Sequence, residues 1–174
     1  EGISVIGKNA KFAFVRQSKP LGDGHAVLAA LPFIDPSEPV AVLFGDDIIS
    51  GKAPGIKQII EAYENFGGPV ICITEVPKSE VHQYGIVGGP MLDTRTMQIK
   101  SFVEKPSLTK APSNYAVIGR YVLTPDIIHI LKKQKAGKDG EIRLADAFQT
   151  ALAKGAPLYG RILQGTRHDC GNKL

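Results

Sequence analysis

Val40-Ala41-Val42-Leu43-Phe44-Gly45-Asp46-Asp47-Ile48 is the stretch from which the rest of the chain can be read. Apolar and β-branched residues run without interruption and then stop at a glycine and two adjacent carboxylates. That pattern predicts a strand buried on both faces whose end opens into a cleft. In open α/β sheets ligands collect beyond the carboxyl ends of the strands. Gly45 leaves room there for something to approach. Neighbouring carboxylates repel unless a cation or a hydrogen-bond donor lies between them and the ligand. Magnesium with a phosphate suits Asp46 and Asp47, because that ion takes one or two carboxylates together with phosphate oxygens. A solvated turn carries the same residues, so the motif alone leaves both readings open.

The chain has 174 residues, enough for one domain with a substantial core, and one partial domain over 1–174 is expected. A hydrophobic share of 43% with 22% charged residues is ordinary for a folded soluble protein and argues against disorder. No apolar run is long enough for a membrane span, and the amino terminus does not read as a signal peptide, so a cytoplasmic protein with no membrane partner is expected. Cys72 and Cys170 have neither metal-ligand spacing nor a disulfide pattern. The net charge of +4 is modest. Its one basic cluster, Lys132, Lys133, Lys135 and Lys138, falls at a predicted helix end, where cations suit the macrodipole. No basic stripe interleaved with aromatics is present, so no nucleic-acid partner is expected.

Taken in order, Phe12-Ala13-Phe14-Val15-Arg16-Gln17 predicts a strand, followed by a Gly-rich loop, Pro20-Leu21-Gly22-Asp23-Gly24, and a helix through Val27, Leu28 and Leu31. Ile56, Ile59, Ile60 and Tyr63 share one helical face, closed by Gly67. Val70 to Thr74 is a second fully apolar strand. Strand, helix and strand in succession make a βαβ unit, so the Val40 and Val70 strands should run parallel. Further strands are predicted at Tyr84–Gly89, Gln98–Pro106, Tyr115–Leu123 and Leu158–Leu163. Helices are predicted from Asp126 to Gln134, behind Thr124-Pro125, and around Leu144 to Leu152. His168-Asp169-Cys170-Gly171 reads as a polar turn. Glu104 and Lys105 offer a sugar-hydroxyl acceptor beside a phosphate counter-charge, although an exposed ion pair would look the same. His25 and His168 are possible bases, but a loop histidine is more often a hydrogen-bonding surface residue.

Several stretches in one order together resemble a known family. They are Val15-Arg16-Gln17, Pro20-Leu21-Gly22 with Gly24-His25-Ala26-Val27-Leu28, Asp46-Asp47, Tyr84-Gly85, Val103-Glu104-Lys105-Pro106, Ala111-Pro112-Ser113-Asn114, Ile118-Gly119-Arg120-Tyr121 and Asp169-Cys170-Gly171. The chain from about Phe14 to Lys173 resembles the UTP–glucose-1-phosphate uridylyltransferases, the bacterial UDP-glucose pyrophosphorylases. The resemblance implies an α/β, Rossmann-like nucleotidyltransferase fold with a mixed, mostly parallel sheet and flanking helices. It implies uridylyl transfer from UTP to glucose 1-phosphate, giving UDP-glucose and pyrophosphate with magnesium. Gln17 and the backbone of Gly22 would hold the uracil, Asp46 and Asp169 the metal, and Asp47 would lie beside the nucleotide or sugar. Gly85 and Glu104 would contact the glucose and Lys105 its phosphate, while Asn114 falls in a segment similar to one lining the sugar side.

Two positions depart from the family pattern: Gly45 stands where proline is usual, and Asp23 interrupts the usual Gly-Leu-Gly of the uracil loop. Nothing before Phe12 resembles the family's triphosphate-cradling Gly-rich loop. The chain is therefore expected to be the middle of a longer enzyme or a shortened form, weak or inactive alone, and prone to self-associate through a bared sheet edge. A thymidylyltransferase, or a non-catalytic nucleotide-sugar-binding or assembly module, would share much of this pattern.

Overall fold

A computed structural model describes residues 10–137 and 139–171. Lys138 of the basic cluster and Lys173 at the far end of the resemblance lie outside the described residues. The sheet is organised on β7 (Tyr115–Leu123), a nine-residue strand. One side of β7 pairs with β3 (Val70–Glu75). Its other side is shared by β4 (Gly85–Gly88) near its start and β1 (Val40–Leu43) near its end. Beyond β3 lie β8 (Tyr159–Ile162) and then β5 (Thr96–Gln98); beyond β4 lies β6 (Ser101–Glu104). A separate two-stranded ladder joins β2 (Asp47–Ser50) to β9 (Thr166–Asp169).

Strands β5 and β6 sit at opposite ends of the main path, yet only Ile99 and Lys100 separate them. A flat sheet would put them about five strand spacings apart, roughly 24 Å, whereas two residues reach only about 10 Å. The sheet must therefore curl. Ile99 N donates to Leu158 O on one edge and Lys100 N to Gly88 O on the other, each at 2.8 Å.

Helices cover both faces. On one face α2 (Gly55–Phe66) packs Ile59 and Ala62 against Val70, Cys72, Ile118 and Val122. On the other, α3 (Pro125–Lys133) and α4 (Leu144–Ala153) bring Ile127, Leu131, Ala147 and Phe148 onto Ile71, Ile73, Tyr121 and Leu123, with Val27 of α1 (Asp23–Ala30) at the margin. The period of two along β3 explains the division, since Val70 and Cys72 face one layer and Ile71 and Ile73 the other. Gly67 at φ 69° and Gly155 at φ 75° close α2 and α4 in the left-handed conformation expected of them. Lys132 and Lys133 end α3 as the dipole favours. No helix among the described residues is long and apolar enough to cross a membrane.

The mixed sheet with flanking helices stands, but its pairing is not mostly parallel. Only β3 with β8 is parallel among the described pairs, because the central β7 runs antiparallel to all three strands beside it, and β4–β6 and β5–β8 are antiparallel too. Strands β1 and β3 do point the same way, each antiparallel to β7, which lies between them. The Val40–Ile48 stretch is not one doubly buried strand. It breaks after Leu43, turns through Phe44–Asp46 and re-enters as β2, and Leu43 stays 51% exposed because among the described residues β1 pairs on one side only. Phe12–Gln17 forms no strand, lacking a neighbour to complete its ladder, and Phe14 is 95% exposed. Gln98–Pro106 divides into β5 and β6 where the curl requires it. His168 and Asp169 belong to β9 and not to a turn.

Candidate functional site

The chain corner at Phe44–Asp47 brings the predicted acidic residues together. In the ladder between β2 and β9, Asp47 stands opposite Asp169, and Cys170 N donates to Asp46 O at 2.8 Å. A β-carbon placed on Gly171 would lie 3.1 Å from Asp46 Oδ2 and 3.3 Å from Asp169 Oδ1. The two carboxylates thus approach the same backbone position, where Gly171 N also donates to Asp169 Oδ1 at 3.0 Å. Gly45 has no heavy atom within 4 Å of where its β-carbon would be, so the corner is clear on that side as well. Among the described residues no group of three or more His, Cys, Asp or Glu side chains could hold a metal. A cation here would be shared by two carboxylates and phosphate oxygens, a donor set that magnesium accepts.

Asp47 is spent differently. Its side chain is buried, with Oδ2 accepting from Gly119 N at 2.7 Å and Oδ1 from Arg167 Nε at 2.5 Å. The same guanidinium reaches Asp169 Oδ2 at 3.0 Å and lies 5.5 Å from the centre of the Tyr84 ring. Desolvation would lower the pKa of Arg167, but hydrogen bonding and attraction to Asp47 raise it further than burial lowers it.

Tyr84 leads from the corner into a cavity of about 330 Å³, lined by Gly85, Phe102, Glu104, Tyr121 and Arg143 among others. Gly85 opposes Glu104 in the β4–β6 ladder, and a β-carbon on Gly85 would meet Glu104 Oε2 at 2.9 Å. The carboxyl group therefore lies directly over bare backbone. Burial raises its pKa, with Lys105 and Arg143 pulling the other way. Lys105 follows Glu104 and is exposed. It is the one non-glycine residue among those described with positive φ, at 44°, and its amide donates to Tyr84 O at 3.0 Å. A lysine held in that conformation at the end of a strand marks a place where geometry outweighs backbone preference.

At the other rim Gln17 and Gly22 meet. Gln17 Nε2 donates to Gly22 O at 3.1 Å and lies 2.8 Å from His25 Nδ1. Gly22, at φ 99°, presses on Ile142 O, where a β-carbon would stand 2.6 Å away.

A model of the family described as nucleotidyl transferase matches residues 4–173. The chain belongs to the nucleotidyl transferase family. A protein of Staphylococcus haemolyticus named UTP–glucose-1-phosphate uridylyltransferase is 44% identical over 165 residues, which is 95% of this chain and 57% of that protein. A crystal structure of apo UDP-glucose pyrophosphorylase superposes with a TM-score of 0.93 at 40% identity, over 99% of this chain and 63% of the other. One of UDP-glucose pyrophosphorylase complexed with UDP-glucose gives 0.89 at 40% identity, over 98% and 64%. The chain spans about three fifths of the length of these relatives.

Not every residue expected from the nucleotidyl transferase pattern reaches the cavity or the corner. Asn114 does not. Its amide donates to Glu75 Oε1 at 3.0 Å and Val76 O at 3.1 Å, tying the end of β3 to the start of β7. His168 bonds Ser50 at 2.9 Å and stays exposed, and His25 serves Gln17. Asp23, the departure in the uracil loop, is structural: Oδ1 accepts from Gly24 N at 2.7 Å and from Leu144 N at 3.0 Å, so one carboxylate satisfies an amide at the start of α4. Burial raises its pKa while those amide bonds lower it. Arg167 and Arg143, in contrast, join the site unforeseen. An isolated arginine in a loop or short strand carries no local signal, and only the fold shows what it reaches.

Proposed function

We propose that this chain carries the sugar and metal portion of a UTP–glucose-1-phosphate uridylyltransferase, joining UTP and glucose 1-phosphate to UDP-glucose and pyrophosphate. The observation that carries this reading is the continuity of the site. A cavity with a carboxylate over bare backbone is joined through Tyr84 and Arg167 to the corner where two carboxylates converge, and Lys105 directly follows Glu104, an arrangement that suits glucose, its phosphate and the nucleotide phosphates. Glu104 accepts from sugar hydroxyls above Gly85. Lys105 holds the attacking phosphate as a point charge. Gln17 and the Gly22 backbone form the base-binding edge. Asp46 and Asp169 fit a magnesium ion, which supplies charge neutralisation when bound. Asp47, whose two oxygens already accept from Gly119 and Arg167, sets the corner beside the nucleotide.

In-line attack at the α-phosphorus gathers charge on the departing pyrophosphate, so the chemistry is mainly alignment and electrostatics. No general base is needed, because a phosphate monoester is already an anion at neutral pH. A reducing, cytoplasmic setting suits Cys72 and Cys170, which form no disulfide. The side of β1 that pairs with no strand among the described residues favours self-association. Calorimetry tests the assignment. UDP-glucose should bind more tightly with magnesium than without, Asp46→Ala should remove that difference, and the thymidine analogue should bind more weakly. Binding that ignores both magnesium and Asp46→Ala supports a non-catalytic module, and equal binding of the thymidine analogue supports a thymidylyltransferase.

A further inference from the structure

Arg120 is only 9% exposed and forms no ion pair among the described residues. Its guanidinium is solvated instead by carbonyl groups. Nη1 donates to Phe44 O and Gly119 O, each at 2.8 Å, and Nη2 donates to Asp47 O. Phe44 and Asp47 are the two ends of the turn that presents Asp46. One side chain from β7 therefore grips both ends of the acidic corner, and Phe44 N closes the grip by donating to Gly119 O at 2.8 Å.

Stability alone does not explain a charge in this place. Burying a guanidinium is costly, and an apolar side chain of similar volume commonly serves a core as well or better. What an apolar residue cannot do is hold two carbonyls at a fixed separation. The planar fork of arginine can, and a lysine reaches such carbonyls less well. Asp46 has no comparable support of its own: its side chain is exposed, and Cys170 N secures only its carbonyl.

We infer that Arg120 is a positioning residue for divalent-cation binding, acting through the Phe44 and Asp47 carbonyls to hold Asp46 facing Asp169 while touching neither cation nor substrate. This rests on the reading of Asp46 and Asp169 as the cation pair. Manganese alone is the probe. Substoichiometric Mn²⁺ should broaden the amide NMR signals of Cys170 and Gly171 in the wild-type chain, and Asp46→Asn should abolish that broadening. Arg120→Met should need about tenfold more Mn²⁺ for the same broadening, as expected when hydrogen bonds to a charged group are lost. Signals from β3 and β8 should stay in place, and Arg120→Lys should fall between the two. Should Arg120→Met not fold, Arg120→Lys carries the test through a measurable weakening. A folded Arg120 variant that broadens at wild-type Mn²⁺ overturns the inference while leaving the cation pair intact. Indifference of the wild-type signals to Asp46→Asn overturns the cation pair and the inference with it.

Discussion

The acidic corner and the segment from Lys11 to Arg16 both begin as apolar stretches leading toward polar residues, and they end in opposite states. The corner is fixed from all sides: β7 supplies the Gly119 amide and the Arg120 fork, β9 supplies Arg167 and Asp169, and the next residue supplies the Cys170 amide. The Lys11–Arg16 segment has an equally good strand pattern but no ladder, and Phe12, Phe14 and Val15 are exposed. Its next residue, Gln17, is secured by one side-chain contact to Gly22 and one to His25. Strand propensity is thus a statement about fitting a pleated, half-buried surface. Where no neighbouring edge exists, the pattern has nothing to act on.

The largest expected effect comes from overfilling the corner. A β-carbon at Gly119 would stand 2.5 Å from Phe44 Cβ and 2.7 Å from Asp47 Oδ2, and neither can retreat without breaking the bonds just described. Gly119→Ala should cost about 3 kcal/mol of stability in urea denaturation. Gly45→Ala, in the same corner but facing open space, should cost less than about 0.5 kcal/mol. Equal costs for the two would show that the corner is not over-determined.

The same contrast explains what could be read beforehand. The helices, β3, β7 and β8 were legible, because their signals are local: apolar spacing, Thr124-Pro125 at one helix start, Gly67 and Gly155 at two helix ends. The convergence of Asp46 with Asp169 was expected from family resemblance alone, since the two lie far apart in sequence and no periodicity connects them. The break after Leu43 and the split between β5 and β6 were not legible, because each is imposed by where a distant strand has room to pair. Gly22 could be singled out as glycine, but what crowds it, the carbonyl of Ile142, belongs to another part of the chain. What Asn114 bonds was hidden for the same reason: its segment matched a motif, while its amide pairs with Glu75 and Val76 from a distant strand end.

A smaller effect separates the corner from the cavity by pH. Burial raises the pKa of Glu104 above the ordinary 4.5. Between the unfolded and folded pKa values the native state holds more protons than the unfolded one, so on its own this group makes stability decline as pH rises through that window. Ligand binding has the opposite sign. If, as proposed, a sugar hydroxyl donates to the ionised carboxylate, glucose 1-phosphate affinity should fall as pH drops through the raised pKa. Glu104→Gln should lower affinity about tenfold at neutral pH, the scale of a lost hydrogen bond to a charged group, and should flatten the pH profile measured by calorimetry. An unchanged profile in Glu104→Gln would move the dependence away from this carboxylate.

The smallest effect on stability should come from the unpaired region, with its consequence confined to association. Among the described residues strand β1 bonds only to β7, Leu43 is 51% exposed, and the groove beside it is lined by Val40–Asp46 together with Ala26, Val27, Ala30 and Ile34. An apolar groove next to open backbone donors and acceptors is a template for another strand, and a charge at such an edge is a common way to block it. Leu43→Lys should therefore change unfolding free energy by no more than about 0.5 kcal/mol, while shifting sedimentation velocity profiles at high concentration toward the monomer. Phe14→Ser, which removes the most exposed large apolar side chain among the described residues, should act in the same direction. If the wild-type chain already sediments as a monomer at high concentration, the free edge is tolerated without a partner. Its polar groups would then be satisfied by water, and exposure alone would not be enough to drive assembly.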